Sequence, residues 1–188
     1  MKFLIAGLGN IGAEYRGTRH NIGFMVLDYL AEQKGVDFES SRYATTCTIR
    51  HRGRQLVLIK PTTYMNLSGK AVRFHLQEHK LSLQQLLVVT DDIALPYGKL
   101  RMRPRGSAGG HNGLQHIADI MGTKDYPRLR FGVGDDFSRG RQADYVLSPF
   151  SEDEQIDLSL KIEACAKGVL AFASVGINRA MNDVNRKG

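Results

Sequence analysis

The fold of this chain is decided by two stretches, Gln55-Leu56-Val57-Leu58-Ile59 and Leu86-Leu87-Val88-Val89. Each is a nearly continuous apolar run, which is typical of a central strand that is buried on both faces of a sheet. They predict strands at 55–60 and 86–90. Similar runs predict further strands and shorter extended segments, and these lie at 2–7, 44–51, 128–133, 99–104 and 144–147.

Helical patterns lie between the predicted strands. Apolar residues at helical spacing predict helices at 22–34, 66–79, 113–121 and 151–176, with a short basic helix around 178–185. Strands that alternate with helices indicate an α/β fold, with a twisted, mixed but mostly parallel sheet surrounded by helices. The sequence contains no repeat, low-complexity tract or linker, so we expect a single domain over residues 1–188.

The chain is basic, with 26 Lys and Arg against 19 Asp and Glu and a net charge of +7. This excess favours a polyanionic partner such as a nucleic acid. Basic residues alternate with other residues from Lys99 to Arg105, and Arg128 and Arg130 repeat the spacing. Because alternate residues of a strand share one face, the sequence predicts a basic face on these two segments.

The cysteines and the apolar runs indicate the compartment. Cys47 and Cys165 are the only cysteines and do not form a CxxC pair, which argues against a disulfide framework and a cysteine-based zinc site. No apolar run reaches the ~18 residues of a membrane span, and the opening run Met1–Ala6 is too short for a signal peptide. We therefore expect a cytoplasmic protein with reduced thiols and no membrane partner.

The first loop, Gly7-Leu8-Gly9-Asn10-Ile11-Gly12, matches the GxGxxG pattern of dinucleotide-binding proteins. That pattern requires the third glycine to open a helix whose first turn binds a pyrophosphate, but no helical spacing begins before Ile22. The acidic residue expected about 20 residues later, at the end of a second strand, is also missing. We interpret the glycines as a sharp turn that places Asn10 at the end of the first strand. A nucleotide-dependent oxidoreductase stays as an alternative, supported by this pattern alone.

His20 and Asp91 are candidates for acid–base chemistry. His20 follows the first loop and Asp91 follows the strand at 86–90, so both are expected at the carboxyl edge of the sheet. A carboxylate that faces a histidine fixes the tautomer of the ring and stabilises the charge that it gains as a base. The sequence has no GxSxG serine and no cysteine in a catalytic setting. The pair therefore predicts activation of a water molecule rather than a covalent intermediate.

Two further loops carry amides that a substrate could contact. Asn66 follows the buried strand at 55–60, and its side chain could both donate and accept, as a bound peptide requires. Asn112 lies in the glycine-rich turn 106–114, which leads into a helix. Each asparagine could instead be only a helix N-cap. A third pattern, HxxEH at His75–His79, matches zinc-protease helices, but no motif marks a third ligand and we interpret its histidines as ordinary helix residues.

Six stretches of this sequence, taken together, resemble the bacterial peptidyl-tRNA hydrolase family. They occur in the order of the family and cover nearly the whole chain. They are GLGNIGAEYRGTRHNIGF at 7–24, KPTTYMNLSGKAV at 60–72, DDIALPYGKLRMR at 91–103, GGHNGL at 109–114, RLRFGVG at 128–134 and DYVLSPF at 144–150.

The resemblance implies a single α/β domain and a monomeric esterase that uses no metal and no cofactor. Its substrate would be peptidyl-tRNA, and its role would be to recycle tRNA from prematurely ended translation. His20 would be the catalytic histidine and Asp91 its orienting acid. Amides would hold the peptide and the attacking water (Asn10, Asn66, Asn112), other residues would line the cleft (Tyr15, Met65, His111), and two arginines would clamp the 5′-phosphate of the tRNA (Arg103, Arg130).

The sequence departs from the family pattern at four places, and none of them removes a position that the resemblance makes catalytic. Ile11 stands where the family usually has proline, and Thr90 replaces a common histidine before Asp91. Ala94 replaces an acidic residue, and Asp135-Asp136 replaces a His-Pro or Arg-Pro pair. A non-catalytic RNA-binding module, supported by the net charge, is the second alternative.

Overall fold

Seven strands and seven α-helices alternate in residues 1–186, the part of the chain that the computed structural model describes. The strands are β1 (Lys2–Gly7), β2 (Glu39–Ser41), β3 (Ala44–His51), β4 (Arg54–Pro61), β5 (Leu86–Asp92), β6 (Leu100–Arg103) and β7 (Arg128–Gly132). The helices are α1 (Ile22–Gln33), α2 (Ser68–Glu78), α3 (Asn112–Met121), α4 (Gln142–Val146), α5 (Glu152–Gln155), α6 (Leu158–Val175) and α7 (Ile177–Arg186).

The strands form one mixed sheet in the order β2-β3-β4-β1-β5-β7-β6. Four of the seven strands in the described range, β4, β1, β5 and β7, are neighbours and run parallel. The other three pair antiparallel at the two edges of the sheet. This arrangement confirms the predicted α/β domain with a mixed, mostly parallel sheet. The final two residues of the predicted domain, 187 and 188, lie outside the described range.

Helices cover both faces of the sheet, which explains the continuous apolar runs. Along β1, Phe3 and Ile5 belong to the core shared with α1, α6 and α7, whereas Leu4 and Ala6 belong to the core shared with α2 and α3. Side chains of β4 and β5 alternate between the two cores in the same way. Burying a Val or Leu side chain contributes about 1.5–3 kcal/mol, so both faces of these strands hold the domain together.

The first loop turns without opening a dinucleotide-binding helix. Gly12 has a φ of 115°, and two short 3₁₀ turns follow it, so the first α-helix begins only at Ile22. At the end of β1, a side chain on Gly7 would collide with the carbonyl oxygen of Gly23 in α1. Glycine at this position lets α1 pack closely against β1, and this brings the turn that carries His20 to the sheet edge.

One segment that was predicted as extended is helical. Most of 144–147 lies in α4, so the prediction of a strand there is wrong. The apolar run arises because Val146 is buried and Tyr145 packs against the core through a helical turn. Periodicity does not separate a short buried helix from a short strand.

Two other boundaries also differ from the prediction. The helix expected at 151–176 is divided into α5 and α6. At the break, the Tyr97 hydroxyl shares its one proton between the Glu154 carbonyl at 2.6 Å and the Asp157 carboxylate at 2.9 Å, which holds the chain in a turn. The edge strand β2 was not predicted because its residues are polar and exposed, and it is defined only by its pairing with β3.

In the described part of the chain, no helix combines the length and the apolar character needed to cross a bilayer.

Candidate active site

Several of the predicted site residues lie at the carboxyl ends of the central strands, at one edge of the sheet, whereas Arg103 and Arg130 lie on β6 and β7. Asn10 follows β1, Asn66 follows β4 and Asp91 lies near the end of β5. His20 lies in the 3₁₀ turn before α1, and this turn packs against β5. Loops at this edge form the usual binding site of open parallel sheets.

His20 and Asp91 are in direct contact. The ring Nδ1 of His20 lies 2.8 Å from Oδ2 and 3.0 Å from Oδ1 of Asp91, whose residue surface is only 3% exposed. Because a carboxylate accepts, neutral His20 carries its proton on Nδ1 and leaves a lone pair on Nε2. Among the described residues, Nε2 has no hydrogen-bond partner. The ring is therefore arranged as a base.

Asp91 remains ionised in this buried position because it receives several donors. Burial by itself raises the pKa of the carboxyl, but the charges of His20 and His111 and their hydrogen bonds outweigh burial and hold the pKa well below its usual range. An ionised carboxylate stabilises the positive charge that His20 acquires when it takes a proton.

His111 has a fixed tautomer as well. Its Nδ1 accepts hydrogen bonds from the backbone N–H groups of Gly113 (3.1 Å) and Leu114 (3.3 Å), so it caps helix α3. Its proton must then lie on Nε2, which is 2.9 Å from Oδ1 of Asp91. The cap of this helix is His111 and not Asn112, which was the alternative structural role considered for that asparagine. Asn112 is thereby left exposed at the first turn of α3.

The side-chain amide of Asn10 has a defined orientation. Its Oδ1 accepts the backbone N–H of Met65 at 2.6 Å, while Asn21 bonds both the N–H and the carbonyl of the Asn10 backbone. This contact fixes which way the amide is turned, and Nδ2, which has no hydrogen-bond partner among the described residues, is available to a ligand as a donor. The sequence did not single out Asn21 as the residue that holds Asn10, since this depends on a contact between the first loop and the start of α1.

Two further residues predicted to contact the substrate lie in the turn that follows β4. Asn66 is exposed and makes no side-chain hydrogen bond within residues 1–186, and Met65 beside it is buried. A side chain on Gly113 would collide with the sulfur of Met65, so the turn at 65–67 and the start of α3 are in close contact. The structure thus places Asn66 and Asn112 on adjacent elements.

The ring of Tyr15 contacts the ring of Tyr64 edge to face, with 6.4 Å between the two centroids. Tyr64 was not predicted. It is 50% exposed and has φ 62° and ψ 159°, a backbone region that is almost restricted to glycine. Backbone strain of this kind concentrates at functional sites.

Arg19 anchors the turn that carries His20. It is 7% exposed, and its guanidinium donates to the Tyr145 carbonyl, to Ser148 Oγ and to Glu154 Oε1. The guanidinium also lies 4.0 Å from the centroid of the Tyr145 ring. Its partners lie about 130 residues away in sequence, and the sequence offered no signal for these contacts.

The arginines of β6 and β7 share one face of the sheet. Arg101 pairs with Arg130 and Arg103 with Arg128 in the antiparallel register. Arg128 is buried and donates to the carbonyls of 106, 107, 124 and 126, so it supports the glycine-rich loop and is not available to a ligand. Arg130 and Arg103 are partly exposed and diagonal to each other. Arg130 also donates to the Ser107 carbonyl and lies 3.7 Å from Asp92.

Neither a thiol nor a metal ion fits the chemistry of this centre. Burial raises the pKa of Cys47 to about 11 and that of Cys165 further, so neither thiol supplies a thiolate near neutral pH. Ligand atoms of His20, Asp91 and His111 lie within 4.8 Å of one another, as in a metal site. However, a metal on Nε2 of His111 would require a proton on Nδ1, where two backbone N–H groups already donate.

The chain is similar to known proteins along nearly its whole length. The model of the family described as peptidyl-tRNA hydrolase matches residues 4–188. The peptidyl-tRNA hydrolases of Cytophaga hutchinsonii and Phocaeicola vulgatus are 57% and 51% identical over 187 residues, which is 100% of this chain and of each relative. The crystal structure of peptidyl-tRNA hydrolase from Acinetobacter baumannii has a TM-score of 0.91 at 31% identity and covers 97% of this chain and 94% of that chain. The chain belongs to the peptidyl-tRNA hydrolase family.

Proposed function

We propose that this protein hydrolyses the ester bond between a peptide and the 3′ end of its tRNA, and so recovers tRNA from prematurely ended translation. The observation that carries the proposal is the contact of His20 Nδ1 with buried Asp91, which leaves Nε2 without a hydrogen-bond partner among the described residues and available as a base. Relatives that match the whole chain are named peptidyl-tRNA hydrolases, which supports this substrate.

In the proposed reaction, Nε2 of His20 takes a proton from water while the water oxygen attacks the ester carbonyl. The tetrahedral intermediate then expels the 3′ oxygen of the tRNA, which receives the proton back from His20. Asp91 stabilises the charged ring between these two steps. An ester has a better leaving group than an amide, so no covalent nucleophile is needed.

The amides divide the remaining tasks. The side chain of Asn10 is oriented by the hydrogen bond from Met65 to its Oδ1, so its Nδ2 donor suits a developing oxyanion. Asn112 is exposed at the first turn of α3 and positions the water or shares the oxyanion. Asn66, whose amide can both donate and accept, binds the peptide backbone that all substrates share. Tyr15, Met65 and His111 line the cleft.

Arg103 and Arg130 are proposed to bind a phosphate of the tRNA. Their shared face of the sheet supports this role, because an arginine fork bonds phosphate oxygens in pairs. We further propose that the enzyme acts in the cytoplasm as a monomer, without a metal ion or cofactor.

The test is the release of acetyl-amino acid from N-acetyl-aminoacyl-tRNA in the presence of a metal chelator. We expect turnover, with unblocked aminoacyl-tRNA a much poorer substrate, because the amides do not compensate the desolvation of a charged α-ammonium. Binding of tRNA without turnover would favour the RNA-binding module, and binding of NAD or NADP would favour the oxidoreductase. Loss of turnover with chelator would refute the metal-free reaction.

A further inference from the structure

Thr90 lies directly behind the catalytic carboxylate and is not used in the reaction proposed above. It precedes Asp91 in β5, and its residue surface is 0% exposed. Its Oγ1 is 2.6 Å from Nε2 of His111 and 3.2 Å from Oδ1 of Asp91. A buried hydroxyl can donate one hydrogen bond and accept others, so the direction of these two contacts has to be settled.

The backbone of α3 settles that direction. Since Nδ1 of His111 accepts from Gly113 and Leu114, Nε2 carries the proton and can only donate; its N–H is shared between Thr90 Oγ1 at 2.6 Å and Asp91 Oδ1 at 2.9 Å. The hydroxyl proton of Thr90 is then free to point at Asp91 Oδ1. Hydrogen bonds therefore run in one direction, from the N-terminus of α3 through His111 and Thr90 to Asp91, and His20 donates to the same carboxylate from the other side.

We propose that Thr90 is a positioning residue for hydrolysis, which keeps the Asp91 carboxylate turned toward His20 and withdraws part of its negative charge. This proposal rests on the proposed function. A base must be neutral before it can take a proton from water, and a carboxylate with fewer donors would hold His20 more strongly in its protonated form. The hydroxyl of Thr90 therefore sets the pH at which His20 becomes available.

Asp91 has few neighbours that could change its charge. Within residues 1–186, it receives hydrogen bonds from His20, His111 and Thr90. The nearby charge of Arg130 is directed to Asp92, at 3.7 Å. Of the three donors, only Thr90 does not titrate, so a change in pH dependence on its substitution has a simple origin.

The test compares Thr90→Val and Thr90→Ala, which lack the hydroxyl, with Thr90→Ser, which keeps it. The measurement is kcat/KM on N-acetyl-aminoacyl-tRNA as a function of pH. We expect the acid limb of the profile to move to higher pH by roughly half a unit in both hydroxyl-free variants, because one donor to the carboxylate is lost. Thr90→Ser should return the limb to its wild-type position. Having two hydroxyl-free variants guards against one that fails to fold.

A second readout does not depend on hydrolysis. Imidazole ¹H–¹⁵N spectra of the free enzyme follow the protonation of His20 and the tautomer of His111 directly. We expect an Nε2–H tautomer for His111, and His20 to become protonated at higher pH in Thr90→Val than in wild type. An unchanged titration and limb in Thr90→Val, or a lower rate with an unchanged limb, would overturn the role of Thr90. An inactive wild type with a shifted titration would instead refute the proposed function alone.

Discussion

At the scale of single residues, the proposed site combines atoms that are bound within the protein with atoms that are left open. Nε2 of His20, the proposed base, has no hydrogen-bond partner among the described residues, whereas Nδ1 is bound by Asp91. The side chain of Asn10 is fixed by Met65 in a similar way, with one polar atom bound and the other left to the ligand. Preorganised groups of this kind cost no rearrangement during reaction.

The first prediction concerns His20. His20→Ala should lower kcat by roughly 10²–10⁴, the usual contribution of a general base. The melting temperature should change little, because the ring is partly exposed and the turn is anchored by Arg19. Steady-state kinetics on N-acetyl-aminoacyl-tRNA measure the effect, with His79→Ala, just after α2, as a control that should keep full activity. Near-normal turnover of His20→Ala would exclude the ring as the base.

At the scale of elements, strand β6 presents the basic face. It is an edge strand, and edge strands have unpaired N–H and C=O groups on one side. Asn185 of α7 satisfies one such pair, since its Oδ1 accepts the N–H of Met102 at 2.8 Å and its Nδ2 donates to the Met102 carbonyl at 3.1 Å. Met102 lies between Arg101 and Arg103, so α7 holds in place the strand that carries Arg103, one of the two proposed phosphate contacts.

The second prediction therefore concerns Arg103 and Arg130. Each Arg→Ala change should raise KM for full tRNA substrates. It should also reduce the slope of the logarithm of the tRNA-binding constant against the logarithm of salt concentration by about one at most, as for the loss of one phosphate contact. A minimal N-acyl ester substrate without the tRNA body should be hydrolysed as by wild type. Equal losses of kcat on both substrates would place the arginines in the catalytic scaffold.

The third prediction concerns α7, the helix that contacts β6 through Asn185. Asn185→Ala should raise KM for full tRNA because β6 loses its bridge at Met102, but the salt slope should stay near the wild-type value because no charge is removed. Asn182→Ala, on the same helix but without a side-chain hydrogen bond in residues 1–186, is the matched control. A wild-type KM in Asn185→Ala would show that β6 keeps its position without this contact.

The elements that sequence could predict are those with a strong local pattern. Continuous apolar runs identify the buried strands. Parallel topology then places residues at or after the carboxyl ends of these strands, such as Asp91 and Asn10, at one edge of the sheet. The cap of α3 by His111 and the contact of Thr90 depend on ring orientation and on neighbours from other elements. Short segments such as α4 and β2 have too few residues for a reliable period.

At the scale of the whole molecule, the buried histidine His75 makes the stability of the fold depend on pH. His75 in α2 is 2% exposed, and its Nε2 donates to the Arg42 carbonyl, in the turn between β2 and β3, at 2.9 Å. Its Nδ1 is buried and has no partner in the described structure. Burial lowers the pKa of His75, while the Arg42 carbonyl and Glu78 oppose this effect less strongly. The first histidine of the HxxEH pattern, His75, is thus a neutral residue packed in the protein interior.

The fourth prediction follows from this lowered pKa. Below the ordinary pKa of histidine, about 6.5, the unfolded chain binds a proton at His75 more readily than the folded one, so the free energy of unfolding falls as the pH falls from 7 to 5. His75→Gln keeps a donor for Arg42 but does not titrate, and it should flatten this slope by at most about 1.4 kcal/mol per pH unit. Urea unfolding across this range measures it, with His79→Gln, at the residue that follows the same helix, as the less buried control. If His75→Gln and wild type lose stability in parallel, the acid sensitivity of the molecule arises at other groups and the buried ring accepts its proton without cost.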